Sequence, residues 1–179
     1  QALAGLDSLR HVGSDFRITA CFSLIEADGL LSLTHLGSLL LDTCTLLERV
    51  ELNSFTFLGS ATISRNPNLH LVNIANNLFE NSYGISIQHN PNLDSAILLQ
   101  NRSEVPFLSF YNNSELSYIQ PFENLVVLGS LYILNNDNLE EIVCFPSLII
   151  LGGQSSGSGF TISENDSLTL VDFPKLRQA

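Results

Sequence analysis

Gln120–Ile142, QPFENLVVLGSLYILNNDNLEEI, is one complete copy of a unit that recurs along this chain. Within it, Leu131 and Ile133 point one way and Tyr132 and Leu134 the other, so SLYIL reads as a short strand of period 2. NNDN follows as a turn. Leu139 and Ile142 supply a second pair of inward apolar positions, and Leu125 and Leu128 a third. A unit this small cannot bury those groups alone and must stack on neighbouring copies, which defines a solenoid.

Aligned on Ile133, the strand position reads Ile18, Leu41, Ile63, Ile87, Phe110, Ile133 and Ile162, in steps of 23, 22, 24, 23, 23 and 29. The same steps recur in Cys21, Cys44, Asn66, Asn90, Asn113, Asn136 and Asn165, and in Leu24, Leu47, Leu69, Leu93, Leu116, Leu139 and Leu168. A fourth column is Ala27, Val50, Val72, Ala96, Ile119, Ile142 and Val171. Four columns held in one register predict an all-β fold: a parallel β-helix of about seven coils with a period near 23, a single solenoid over residues 1–179.

Each column has a mechanical meaning. Stacked parallel strands place every apolar residue over its equivalent in the next coil. Asn at the exit of the first strand is expected to form a buried ladder bonding its neighbours and the turn peptides, with Cys21 and Cys44 replacing the amide in the first two coils. Gly13, Gly37, Gly59, Gly84 and Gly129 mark the strand entry, where the expectation is a tight corner needing φ freedom. The fifth coil has Val105-Pro106-Phe107 there, so a different corner is expected around Arg102 to Pro106. The step of 29 is absorbed by GGQSSGSG, residues 152–159, read as a flexible loop pushed out of the seventh coil. Val171–Leu176 begins an eighth coil. An open end coil exposes strand edges, so a capping segment or neighbouring domain is expected outside this sequence, which reads as a segment of a longer product.

Lys and Arg total 7 against 18 Asp and Glu, a net charge of 7 − 18 = −11, which disfavours nucleic acid and anionic lipid as partners. No apolar run is long enough to span a membrane, so no direct membrane insertion is expected. Three cysteines are too few for a disulfide-dense scaffold. Asn101, Asn112 and Asn165 head Asn-x-Ser sequons, candidate glycosylation sites if the protein is secreted.

The motif G-S-L-x-I-x-N-N-x-x-L-x-x-I, carried best by residues 125–142 and 148–171, resembles the receptor L-domain family, whose members include the ligand-binding L modules of the insulin and epidermal growth factor receptors. The resemblance covers essentially the whole chain. It implies a right-handed β-helix with leucine-rich-repeat-like coils, presented outside the cell and binding a protein or glycan without catalysis. The chain departs from the receptor modules in its scarcity of cysteine, so growth-factor binding is not implied.

Two outward rows flank the inward strand column. One is Arg17, Leu40, Thr62, Ser86, Ser109, Tyr132 and Thr161; the other is Thr19, Asp42, Ser64, Gln88, Tyr111, Leu134 and Ser163. Tyr111, Tyr132 and Leu134 fall on adjacent coils and form the preferred partner-binding patch, with Gln88, Arg17 and Leu40 on the same rows. The plainer reading is that these residues cover a broad sheet. His11 and His35 occupy equivalent places, so stacking on adjacent coils is expected; two imidazoles could begin a metal site, but with no third ligand recognisable a pair of ordinary surface or corner histidines is the simpler reading. Cys21 and Cys44 are a coil apart; in-register stacking points them in parallel, so two reduced thiols are the simpler reading and a bridge the alternative.

Neither clustered carboxylates with a basic partner nor a nucleophile, phosphate, calcium or zinc motif is present, so no enzyme activity and no cofactor or metal are expected. The functional expectation is a non-catalytic recognition module at the cell surface, binding a protein or glycan through the exposed sheet face. The alternative is a structural rod of a wall, coat or matrix that self-associates through its end coils.

Overall fold

The computed structural model describes residues 3, 5–28, 30, 32–52, 54, 56–74, 83–98, 101–152 and 159–179. The first four coils contribute β1 (His11–Thr19) with β2 (Glu26–Ala27), β3 (His35–Asp42) with β4 (Arg49–Glu51), β5 (Phe57–Ser64) with β6 (Leu71–Ile74), and β7 (Gly84–Gln88) with β8 (Ser95–Leu98). The remaining three give β9 (Glu104–Tyr111) with β10 (Tyr118–Ile119), β11 (Val127–Leu134) with β12 (Glu141–Ile142), and β13 (Ile150–Leu151), β14 (Phe160–Ser163) and β15 (Leu170–Val171). Among the described residues there is no helix. The fold is an all-β parallel solenoid of about six turns with a period near 23. Of the seventh-coil insertion, residues 153–158 lie outside the described residues, and β13 and β14 on either side of it both pair with β11.

The strand column is one continuous line of paired residues: Ile18 with Leu41, Leu41 with Ile63, Ile63 with Ile87, Ile87 with Phe110, Phe110 with Ile133 and Ile133 with Ile162. Its five central members are at most 1% exposed. Leu47, Leu69, Leu93, Leu116 and Leu139 are equally buried on the next corner. Along the third side Phe122, Phe145 and Phe173 stack, with ring centroids 5.2 and 5.6 Å apart. Since each coil is one cross-section of a rod, the inner layers repeat the same apolar triangle, and the buried core runs from Ile18 to Leu151 with Ile162, Leu168 and Phe173 partly buried against its end.

The strand exit is where the polypeptide must turn hardest. Ala20, Thr43, Arg65, His89, Asn112, Asn135 and Glu164 all adopt positive φ of 54–57°, each one residue before a ladder position. A left-handed residue without glycine costs about 1 kcal/mol or more, and the ladder that follows offsets it. Asn66, Asn90, Asn113 and Asn136 are fully buried. Each Oδ1 accepts the backbone N–H of the preceding ladder residue: Cys44 to Asn66 (2.9 Å), Asn66 to Asn90 (3.1 Å), Asn90 to Asn113 (3.2 Å), Asn113 to Asn136 (3.2 Å) and Asn136 to Asn165 (2.9 Å). Each Nδ2 donates to the strand carbonyl of the coil below, as Asn113 does to Ile87 (3.1 Å) and Asn136 to Phe110 (3.0 Å). Cys44 reproduces half of this: its thiol lies 3.8 Å from the Ile18 carbonyl. Cys21 and Cys44 are unbridged, and burial pushes the Cys44 thiol up from its ordinary pKa. Cys144, buried at the third corner, is pushed up to about 12 by its burial.

The glycine column has a different cause from the one expected. Only Gly84 among Gly13, Gly37, Gly59, Gly84 and Gly129 has a positive φ. What selects glycine is close approach: a Cβ on Gly37 would stand 2.7 Å from the Ser14 carbonyl oxygen, and Cβ atoms on Gly59 and Gly129 would enter the carbonyls of Gly37 and Pro106. The fifth coil departs from expectation too. Pro106 sits inside the continuous strand β9, and the irregular geometry falls on the coil below, where Gly84 (φ 125°) abuts the Phe107 carbonyl.

The second face is less regular than the first. β10, β8, β6, β4 and β2 form one five-stranded sheet, while β12 and β15 form a separate pair, so the ladder is interrupted between the fifth and sixth coils.

Candidate recognition surface

Both outward rows pair as the spacing predicts, from Arg17–Leu40 through Ser109–Tyr132 to Tyr132–Thr161, and from Thr19–Asp42 through Gln88–Tyr111 to Leu134–Ser163. This sheet face divides into two chemically distinct halves. Over the first coils it is a polar network. Ser38 Oγ donates to Asp15 (2.5 Å), Ser64 Oγ to Asp42 (2.5 Å), and Arg65 pairs with Asp42 at 2.7 Å. The Ser38 hydrogen bond, and after it Arg17, hold Asp15 below the usual carboxylate range. At Asp42 burial pushes the carboxyl up, but the hydrogen bonds from Ser64, Arg65 and Thr43 together overcome it and hold the group down. Side chains locked this way are already satisfied by one another.

Over the fourth to sixth coils the face turns aromatic. Tyr111, Tyr132, Leu134 and Gln88 lie together, each half-buried. Two further rings join them: Phe107 packs against Tyr132 with centroids 5.7 Å apart, and His89 meets Tyr111 edge-on at 5.1 Å. Asn112 Nδ2 lies 3.0 Å from His89 Nδ1, within hydrogen-bond distance, which fixes the orientation of the ring. The Tyr132 hydroxyl is pressed against Gly159, whose N–H donates to Ser130 Oγ at 3.2 Å. The rings are thus braced by neighbours on three coils, presenting a rigid plate with amides at its margin.

The structure does not bring all six candidates together. Arg17 is five strand steps from Tyr132 along their row, about 24 Å at the usual spacing, and it is engaged by Asp15. Leu40 is four steps away, between Arg17 and Thr62. Phe107 and His89 also join the patch, to which the rows alone did not assign them. Phe107 had a legible signal, since it pairs with Ser130 and stands in a column whose other members, among them Asp15, Ser38, Ser60 and Gly84, are small or polar.

His11 and His35 do stack, with centroids 4.2 Å apart, and the third ring of the stack is Phe57 at 4.3 Å from His35. A phenyl ring stands where a third ligand would be needed, and among the described residues no group of three ligand-type side chains gathers. Of the sequons, Asn101 is exposed and Asn112 faces His89. Asn165 is committed to the ladder, its Nδ2 donating to the Ile133 (2.9 Å) and Ser163 (3.0 Å) carbonyls, so a glycan there is incompatible with the folded turn.

Compared with known proteins, the chain matches no protein-family model, no curated protein sequence and no solved structure.

Proposed function

We propose that this chain is a non-catalytic recognition module that engages a protein or glycan through the face formed by Gln88, His89, Phe107, Tyr111, Tyr132 and Leu134. The observation that carries this reading is the contrast along one continuous sheet: the half around Asp15 and Asp42 satisfies its polar groups internally, whereas the later coils present braced rings and amides. Aromatic groups held rigid before binding lose little entropy on contact, and they dominate the energetics of recognition surfaces. Placement outside the cell rests on the likeness of the repeat to receptor L domains.

The test is binding of the folded chain to glycan arrays and to cells, compared with the Tyr111→Ala/Tyr132→Ala double variant. The variant should retain the native circular dichroism spectrum and lose binding at least about tenfold, as expected when two central aromatic anchors are truncated. Undiminished binding by the variant overturns this choice of surface.

A further inference from the structure

The interruption between β10 and β12 points to a second site, on a different face. Elsewhere in this sheet one carbonyl per coil receives N–H groups from the next coil: Ile25 from Glu48 (2.8 Å), Glu48 from His70 (2.9 Å) and Leu71, His70 from Asp94 (3.1 Å) and Ser95, and Asp94 from Ser117 (3.1 Å) and Tyr118. Beyond the gap, Glu140 again receives Thr169 (2.9 Å) and Leu170. The equivalent carbonyl of the fifth coil, Ser117, receives neither Glu140 nor Glu141, although the step from Ile119 to Ile142 is an ordinary 23 residues. A cavity of about 390 Å³ occupies this place. The Ser117 carbonyl on one wall therefore faces the N–H groups of Glu140 and Glu141 on the other without the bonds made at the equivalent place in neighbouring coils, in a gap bounded at its ends by the Asn138 N–H donating to Ser114 (3.0 Å) and the Phe122 N–H donating to Cys144 (2.7 Å).

The side chains around the cleft select among ligands. Tyr118 (50% exposed) and Val143 (42% exposed) are among the most exposed apolar groups of the described chain, one on each wall. Glu140 and Glu141 line the same wall as Val143, and Asn138 on it donates to Glu115 at 2.8 Å. Among the described residues no Lys or Arg lines the cleft. Paired main-chain donors and acceptors fit an extended peptide, which satisfies both at once. Two carboxylates beside an exposed tyrosine ring fit a guanidinium or ammonium group.

We infer that this cleft binds an extended basic peptide segment, its main chain bonding the open edges at Ser117 and Glu141 and an Arg or Lys side chain seated between Tyr118 and the Glu140–Glu141 pair. The site is independent of the aromatic face of the first sheet, so either can fail without the other.

The probe is a fluorescein-labelled hexapeptide of alternating Arg and Val, titrated against the full chain by anisotropy, with amide resonances followed by NMR. Binding should move the resonances of 117–119 and 140–143 while leaving 109–111 and 132–134 in place. Glu140→Gln/Glu141→Gln should weaken it about tenfold, and Tyr118→Ala several-fold. Because the chain carries a charge of −11, the Glu164→Gln/Asp166→Asn variant removes the same charge elsewhere and should leave affinity within about twofold. Equal weakening by the two charge pairs would reduce the effect to the general field of the molecule and overturn the inference. So would shifts confined to other residues, or no binding at millimolar peptide.

Discussion

Asn113→Ala is expected to be among the most damaging single substitutions in the chain, at a cost of about 4 kcal/mol. Asn113 is wholly buried, and its amide makes four ladder bonds. Its Oδ1 accepts from the backbone N–H (3.2 Å) and Nδ2 (3.3 Å) of Asn90, and its Nδ2 donates to the Ile87 carbonyl (3.1 Å) and to Asn136 Oδ1 (3.2 Å). Truncation strands the Asn90 N–H and the Ile87 carbonyl without water, at roughly 1–3 kcal/mol each. Urea unfolding followed by circular dichroism measures the loss. Asn113→Cys is the informative partner variant, because Cys44 shows what a thiol can do in this slot: it reaches the carbonyl below, but offers no Oδ1 to the coil before it. Its cost should fall near half that of alanine, about 2 kcal/mol. Equal costs for Ala and Cys would mean that the donor half of the amide contributes nothing.

The second large effect is expected at Gly59. A methyl group there would enter the Gly37 carbonyl, a backbone atom of an adjacent coil that has no rotamer to escape into. The two coils must separate, and Gly59→Ala should cost about 3 kcal/mol or more, at or beyond the usual range for an overfilled core. Gly13→Ala is the control. Its new methyl meets only the end of the His11 side chain at 3.3 Å, so a small rotation accommodates it and the cost should stay under about 1 kcal/mol. Comparable losses for the two would remove close approach as the reason for glycine in this column.

The contrast between these positions marks what a sequence can disclose about a solenoid. Ile63, Ile87 and Ile133 announce themselves because burial is periodic and each coil must obey it separately. The Asn column is legible for the same reason, since one residue type repeats wherever the same bonds are made. The left-handed turn is illegible: Ala20, Thr43, Arg65, His89 and Glu164 share a backbone conformation but no side-chain chemistry. Glycine at strand entry was visible, yet its cause was not, because freedom of φ and the proximity of another coil select the same residue. The cleft between the fifth and sixth coils left no trace either. Ser117–Ile119 and Glu140–Val143 keep the regular spacing, and the missing bonds show only in three dimensions. Of the recognition patch, the rows placed Tyr111, Tyr132, Leu134 and Gln88 together, and the same coil order already set Arg17 and Leu40 four or five coils from Tyr132, so sharing a row did not make them part of one patch.

Side-chain amide hydrogen exchange, followed by NMR, tests the stacking of the coils most directly. Asn90, Asn113 and Asn136 are held between coils with no exposed surface, so their Nδ2 hydrogens should exchange at least about a hundredfold more slowly than those of exposed Asn68 and Asn138. Exchange of all five at one solvent-limited rate would contradict the ladder, and with it the in-register winding on which both proposed surfaces are built.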